Sequence, residues 1–161
     1  MATPDFVLAL REKIGTDLLW LPGATAVVVR DRSVLLVRRA DTGEWTPVTG
    51  IVDPGEEPAD AAVRETLEEA DVVAVPERFA LVGVSDVIVY ANGDRTQYVD
   101  LTFRLRWVSG EPHPADGENT EAAWFDLDAL PPMTDDMRRR VEAALEEGPA
   151  RFGWAGAPPA S

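Results

Sequence analysis

The sequence predicts a single layered α/β domain, on three observations. The chain has 161 residues, which suits one domain and leaves no room for a second large one. Two nearly continuous apolar runs, at 24–30 and 34–37, are typical of strands buried on both faces. Segments with helical periodicity lie between and after the predicted strands, an arrangement that favours a sheet covered by helices.

Local signals place the remaining elements. A proline at the first helical position and the stop at Gly15 indicate a short N-terminal helix. The stretch 41–58, rich in Gly, Pro, Asp and Thr, leaves room for at most one short strand before Pro58 opens a helix. Asn92-Gly93 indicates a hairpin, and Thr134 caps a last helix that ends near Gly148. The predicted helices therefore cover 4–14, 58–70 and 134–148, and the later strands cover 79–90, 97–107 and 122–126.

Composition excludes several functions. The chain has no Cys, which rules out disulfides, thiolate catalysis and cysteine-bound metal centres. Its formal net charge is −14, from 29 acidic against 15 basic residues, and such a surface repels nucleic-acid backbones. No run reaches the roughly 18 apolar residues of a membrane span. The first residues show no secretory signal, so we expect a cytoplasmic location. From the net charge and the absence of a long apolar run, we expect no nucleic-acid partner and no membrane partner.

Three carboxylates share one side of the predicted helix 58–70. With about 100° between successive residues, Glu68 and Glu69 fall within about 60° of Glu65. A set of apolar residues falls on the opposite side, which we expect to be the buried one: Ala59, Val63, Leu67 and Ala70.

The three carboxylates are unfavourable for an isolated helix. Their pairs at i,i+3 and i,i+4 repel one another, and Asp71 adds a further acid at the helix C-terminus, where the dipole disfavours anions. We expect no Lys or Arg one turn along that side to compensate. Two interpretations stay open at this point, a solvated acidic face and a metal site. An all-oxygen site would favour Mg²⁺ or Mn²⁺ over Zn²⁺.

The segment Gly50–Val72 resembles the Nudix box. That pattern has Gly, five residues, Glu, seven residues, and then Arg-Glu-apolar-any-Glu-Glu-any-Gly-apolar, and every fixed position as far as the Glu pair matches. Thr66 stands at an apolar position, and Asp71 replaces the closing Gly. Trp45 before the box and Trp124-Phe125 after it extend the likeness over about 24–147.

The resemblance implies an α/β (α+β) Nudix fold, with a mixed β-sheet sandwiched between helices. It also implies Mg²⁺-dependent hydrolysis of a nucleoside diphosphate linked to another moiety, with Mn²⁺ as an alternative. By position, Glu68 and Glu69 would be the main metal ligands, and Glu65 would be a further ligand or would help to activate water. The Gly50 region would offer a backbone carbonyl.

The resemblance assigns further roles around the box. Arg64 and Glu56 would pair to hold the loop against the helix. Some family members take an additional ligand or base from the late loop, where Glu118 is the first candidate and Glu121 the second. An ordinary loop acid is the alternative for each.

Four residues are candidates for substrate binding. Arg38 and Arg39 end the second strand, where they would neutralise a phosphate or simply be solvated. Trp45 would stack on a base or, as we favour, pack under its loop. Tyr90 lies at an offset from the box that marks some dinucleotide-polyphosphate hydrolases of the family.

Three regions and two classes of function follow. Residues 1–23 are expected to form a helix and lead-in that pack on their own sheet or across the interface of a homodimer, and the homodimer is our hypothesis. Residues 24–148 are the expected Nudix domain, and 149–161 are expected to be a flexible tail.

Nucleoside triphosphates are the first choice of substrate, because the chain is short and resembles the MutT-like end of the family. The alternatives are an ADP-ribose or dinucleotide pyrophosphatase and a Nudix module that binds a nucleotide without hydrolysing it.

Overall fold

The computed structural model describes residues 3–153. In this part of the chain, three helices and nine strands follow one another. In chain order they are α1 (Asp5–Ile14), β1 (Leu19–Arg30), β2 (Ser33–Arg39), β3 (Trp45–Thr46), β4 (Val48–Ile51), α2 (Pro58–Ala70), β5 (Val73–Val84), β6 (Ile88–Val89), β7 (Arg95–Ser109), β8 (Asn119–Asp126), α3 (Asp135–Leu145) and β9 (Arg151–Phe152). Within 3–153, no helix is long and apolar enough to cross a bilayer.

All nine strands join one mixed sheet, which confirms the predicted architecture. Its main path runs β3-β2-β1-β7-β5-β9. The central pair β1 and β7 is parallel, whereas β5 and β7 are antiparallel. β1 is long enough to pair with β4 through its middle, residues 23–26, and with β2 through its end, residues 29–30. The sheet thus brings β4, which carries the start of the box, beside the central strand.

Helices cover both faces of the sheet. One apolar cluster joins residues of α2 to β1, β2 and β4, and a second joins α3 to β1, β2 and β5. A buried polar network also fastens α3: Arg140 Nη1 lies 2.8 Å from Asp100 Oδ1 and donates to Thr25 Oγ1 at 2.8 Å. This double cover explains why β1 and β2 read as continuous apolar runs.

The N-terminal helix packs on its own sheet. Val7 of α1 is buried in a small cluster with Leu19 and Leu21, against which Ile51 and Tyr98 also pack. The outer side of α1 and its lead-in remains exposed, with the following large apolar residues: Leu8, Leu10, Leu18 and Trp20. The first of the two expected packing arrangements is therefore present, and the homodimer stays a prediction.

Local signals were most reliable where they specify a turn or a cap. The helix over 58–70 is confirmed, and the hairpin closes with a hydrogen bond from Tyr90 N to Asp94 O at 2.9 Å. Thr134 accepts the capping hydrogen bond from Met137 N. α3 ends at Leu145, three residues before the predicted stop.

Several strand predictions were wrong because tertiary pairing decides them. The stretch 41–58 holds two short strands, β3 and β4, which pair with β2 and β1. β5 starts six residues before the predicted strand, since register shifts accommodate Pro76 inside it. β1 starts at Leu19 and not at residue 24. The tail contributes β9, which pairs with β5, and the rest of the predicted flexible segment lies outside the described residues.

Candidate active site

A glycine lets the box helix lie directly against the sheet. Gly50 of β4 faces Glu65 of α2, and a Cβ at position 50 would overlap the Glu65 side chain. Such an overlap is far below any real contact distance, so residue 50 is restricted to Gly while Glu65 keeps its place. The close approach of β4 and α2 buries the Glu65 side chain completely.

The predicted division of α2 into an apolar core side and an acidic side is correct for Ala70, which is buried, and wrong for Leu67 and for the two buried acids. Glu65 is 0 % and Glu69 2 % exposed, whereas Leu67, expected in the core, is 47 % exposed. Small residues on the same side as the two acids, Ala61 and Ala62, are also buried. α2 therefore places two carboxylates between helix and sheet, which a helical wheel cannot foresee because it does not show which side the sheet covers.

Arg64 connects four parts of the site. Its Nε donates to Glu56 Oε1 at 2.8 Å and its Nη2 to Glu56 Oε2 at 2.9 Å. Nη1 donates to Glu65 Oε1 at 2.8 Å and to Glu68 Oε2 at 3.2 Å, and Nη2 also donates to the Ile51 carbonyl at 3.2 Å. The expectation that no cation compensates the acids is thus wrong, because Arg64 bridges Glu65 and Glu68.

Two buried carboxylate oxygens have no partner among the residues that the structure describes. Asn119 Nδ2 donates to Glu69 Oε2 at 2.8 Å, and Arg64 donates to Glu65 Oε1. The other oxygens, Glu69 Oε1 and Glu65 Oε2, are buried with no hydrogen-bond partner in the described part of the chain. A buried anion without a partner is strongly unfavourable, so these oxygens require either a proton or a cation.

The protonation of the site follows from burial. Burial raises the pKa of Glu65 to about 7 and that of Glu69 to about 8, and the charge of Glu118 adds to both shifts. The Asn119 and Arg64 hydrogen bonds oppose these shifts without cancelling them. Arg64 instead lowers the pKa of Glu56, which stays ionised.

The carboxylate oxygens of α2 are suitable ligands for a hard cation, but their side chains are not yet arranged around a common point. Within residues 3–153, no three acidic or histidine side chains already lie together as a ligand group. The nearest candidates are Glu65, Glu68 and Glu69, and Arg64 holds one oxygen of each of the first two. Because the side chain of Glu68 is 43 % exposed, it has room to exchange this contact for another.

The late loop closes over the end of α2. Asp71 ends the helix in the left-handed conformation, with φ 54° and ψ 34°, so Asp takes the geometry that the family's Gly provides. The N–H groups of His113 and Ala115 then donate to the carbonyls of Ala70 and Glu69. This loop leads directly to Glu118, and the charge of Glu118 reaches both buried acids.

The four substrate candidates lie in different surroundings. Arg38 donates to Glu121 Oε1 at 2.8 Å. Arg39 donates twice to Asp41, and its pKa is also raised by the charges of Glu118 and Glu69. Both arginines at the end of β2 are thus already paired with acidic side chains.

The two aromatic candidates make structural contacts. Trp45 packs edge-on against Phe125, with ring centroids 4.7 Å apart, as we favoured from the sequence. Tyr90 lies in the hairpin, with its hydroxyl 3.2 Å from that of Tyr98. Neither contact tests a role in substrate binding, which stays a prediction for all four residues.

Sequence reasoning missed Asn119. The sequence predicts a last strand that starts at residue 122, which places Asn119 in the polar loop before it. It is in fact the first residue of β8, 5 % exposed and hydrogen-bonded to Glu69. The contact joins residues fifty positions apart, and the only local signal was a polar residue just after Glu118.

Known proteins resemble this chain in sequence and in fold. The family model described as the NUDIX domain matches residues 20–145. A MutT NUDIX hydrolase from Burkholderia pseudomallei shares 33 % identity, covers 78 % of this chain and 98 % of its own, and superposes with a TM-score of 0.61. An ADP-ribose pyrophosphatase from Streptococcus suis 89-1591, at 23 % identity, covers 83 % of this chain and 98 % of its own with a TM-score of 0.63, and shows the shared fold.

A curated relative is larger than this chain. The NAD-capped RNA hydrolase NudC of Pseudomonas aeruginosa strain LESB58 is 34 % identical over 114 residues, which cover 70 % of this chain and 38 % of the relative. The chain thus spans less than half the length of that curated relative. The match of the family model over most of the chain, with the Gly50 cradle, the Arg64–Glu56 pair and the acids of α2 inside it, shows that this chain belongs to the Nudix hydrolase family.

Proposed function

We propose that this chain is a divalent-metal-dependent pyrophosphohydrolase that cleaves a nucleoside diphosphate linked to another moiety. The observation that carries the proposal is a pair of buried carboxylate oxygens that have no partner within residues 3–153, Glu65 Oε2 and Glu69 Oε1. A structural acidic face would leave such oxygens in water. Oxygens held dry and unpaired beside a third carboxylate are the donors that a hard cation prefers.

Each residue of the site has a proposed role. Glu65, Glu68 and Glu69 would hold the cation, with the Gly50 carbonyl and Glu118 as further ligands. When bound, Mg²⁺ or Mn²⁺ would neutralise phosphate charge and make hydroxide available near neutral pH. The Arg64–Glu56 pair fastens the box loop to α2.

A nucleoside triphosphate is the leading substrate. The proposal draws on the MutT NUDIX hydrolase that is 33 % identical over nearly all of its length. Arg39 would neutralise a substrate phosphate, a role supported by its pairing in the sheet with Asn119, the hydrogen-bond partner of Glu69. Arg38 would assist from the same end of β2, and Trp45 or Tyr90 would contact the base.

A dinucleotide of the NAD type is the second candidate. It is favoured by the curated relatives, whose name refers to NAD-capped RNA. The net charge of −14 disfavours contact with an RNA backbone, so we expect the small NAD or ADP-ribose moiety to be the preferred form of such a substrate.

A nucleotide panel tests the proposal. We expect release of phosphate, pyrophosphate or a nucleoside monophosphate from at least one of the nucleoside triphosphates, ADP-ribose and NAD, only when Mg²⁺ or Mn²⁺ is added. If nucleotides bind tightly and none is cleaved with either metal, the chain is a binding module and the proposed hydrolysis is wrong.

A further inference from the structure

We infer that Asn119 is a positioning residue, whose amide holds the Glu69 carboxylate in one orientation for a divalent cation without being a ligand itself. The inference rests on the proposed function, because it requires Glu69 to bind a cation. It concerns a residue that lies outside the box segment, 50–72.

The backbone around Asn119 is fixed on both sides. Asn119 is the first residue of β8 and pairs with Arg39 of β2 where the register of the two strands shifts. The carbonyl of the preceding residue, Glu118, accepts a hydrogen bond from Ala40 N at 2.9 Å. With only 5 % of Asn119 exposed, its amide group has little freedom to turn away from α2.

The hydrogen bond from Asn119 uses one carboxylate oxygen of Glu69 and leaves the other available to a ligand. Asn119 Nδ2 donates to Glu69 Oε2 at 2.8 Å, while Glu69 Oε1 has no partner within residues 3–153. The Asn119 Oδ1 atom is likewise buried, with no donor among the described residues. The hydrogen bond that exists therefore determines which Glu69 oxygen is left for a ligand.

The neutral charge of the amide is what distinguishes this contact. Glu65 is held by the cationic Arg64, whereas Glu69 is held by a neutral amide, which orients the carboxylate without adding a positive charge beside it. A Lys or Arg at position 119 would compete with a metal ion for the same carboxylate. A neutral donor to a ligating carboxylate is the usual outer partner of a metal ligand, and losing such a partner typically weakens metal binding about 10–100-fold.

The test compares Asn119→Leu with Asn92→Leu. The first removes the donor at similar volume, and the second makes the same change in the exposed hairpin, where Asn92 contacts Asp94. The probe is Mn²⁺ alone, with free Mn²⁺ measured by electron paramagnetic resonance. We expect Asn119→Leu to raise the Kd for Mn²⁺ about 10–100-fold, and Asn92→Leu to leave it unchanged.

A second measurement separates positioning from general damage. In Asn119→Leu, the Mg²⁺ concentration that gives half-maximal hydrolysis of the best panel nucleotide should rise, while kcat at saturating Mg²⁺ recovers. A purely structural defect would lower kcat through the loss of folded molecules and leave the half-saturating Mg²⁺ concentration as it was.

Each outcome decides the inference. An unchanged Kd for Mn²⁺ in folded Asn119→Leu overturns the role of Asn119 and leaves the proposed function intact. Absence of Mn²⁺ binding by the unaltered chain overturns both. If circular dichroism shows that the Leu variant does not fold, the smaller Asn119→Ser is measured with the same expected weakening.

Discussion

Glu68 differs from the other two acids of α2 in what surrounds it. Its side chain is 43 % exposed and touches Arg64, whereas Glu65 and Glu69 are enclosed between helix and sheet. Under the proposed function, the exposed Glu68 would be free to approach an incoming metal–nucleotide complex, and the two buried acids would stay fixed in place. The two main ligands that the resemblance assigns, Glu68 and Glu69, therefore lie in different environments, one exposed and one buried.

Replacing Glu68 tests this assignment. We predict that Glu68→Gln lowers turnover at least about 100-fold, because a ligand oxygen loses its charge and each 1.36 kcal/mol of lost transition-state stabilisation costs a factor of ten. Thermal unfolding should stay close to that of the unaltered chain. Asp60→Asn, an exposed acid of the same helix, is the control. A Glu68→Gln rate near normal would remove Glu68 from the site.

At the scale of elements, α2 and α3 are attached to the sheet by different means. α2 packs closely over Gly50 and contributes its acids, whereas α3 is fastened by the buried Arg140 between Asp136 and Asp100. The Arg140 network lies on the face of the sheet opposite α2 and has hydrogen bonds at Thr25 as well. Its contribution is therefore expected in stability rather than in chemistry.

Removing Arg140 should destabilise the fold strongly. Arg140→Met leaves Asp100 buried without its cation, and breaking a buried pair in this way costs about 3–5 kcal/mol. Arg139→Met is the matched control, since Arg139 is exposed and its pair with Asp136 is worth no more than about 1 kcal/mol. Urea unfolding of both variants measures the difference. Equal losses in the two variants would contradict the role given to Arg140.

For the whole molecule, the buried acids tie stability to pH. Glu65 and Glu69 have folded-state pKa values of about 7 and about 8, above the value near 4.5 of an unfolded Glu. The folded chain therefore binds more protons than the unfolded chain between about pH 4.5 and 8, and stability falls as pH rises through that window. We predict a lower melting temperature at pH 8 than at pH 5.5 for the metal-free protein.

Divalent metal should reverse this trend. Mg²⁺ or Mn²⁺ at the acids would replace the protons, so the melting temperature at pH 8 should rise on adding either ion. Differential scanning calorimetry at both pH values, with and without metal, measures the effect. Glu56 and Asp41 do not alter this trend: Arg64 and Arg39 lower their pKa values, so their contribution to stability is constant in this range and is lost only as pH falls below about 4.5. Stability that increases steadily from pH 5.5 to 8 without metal would contradict the prediction.

Oligomeric state is the second whole-molecule prediction. On the outer side of α1 and its lead-in, Leu8 is 50 % and Trp20 53 % exposed, and neither belongs to the inner cluster around Val7. Exposed apolar surface of this kind is typical of an interface with another chain. We expect light scattering to give the mass of two chains, and Leu8→Glu to give that of one. Glu12→Gln, on the same helix, serves as the control. A single-chain mass for the unaltered protein would end the dimer hypothesis.

The sequence by itself determined the features that depend on neighbouring residues. The extent of α2, the hairpin at Asn92-Gly93 and the cap at Thr134 follow from short-range signals, and the spacing of the box acids identified the family before the structure did. These features rest on helix periodicity and turn chemistry, which act within a few residues and are the same in any fold.

Only the tertiary structure decided what the box residues contact. Whether Glu65 faces solvent or the sheet depends on Gly50, since only Gly leaves room for the Glu65 side chain. Gly50 lies in β4, which pairs with β1, and the Gly- and Pro-rich composition of 41–58 did not indicate this strand clearly. The partner of Glu69 is Asn119, fifty residues away, and it is brought there by the pairing of β8 with β2. Burial, and with it the raised pKa values and the unpaired oxygens, arises from such long-range contacts, and a helical wheel contains no information about them.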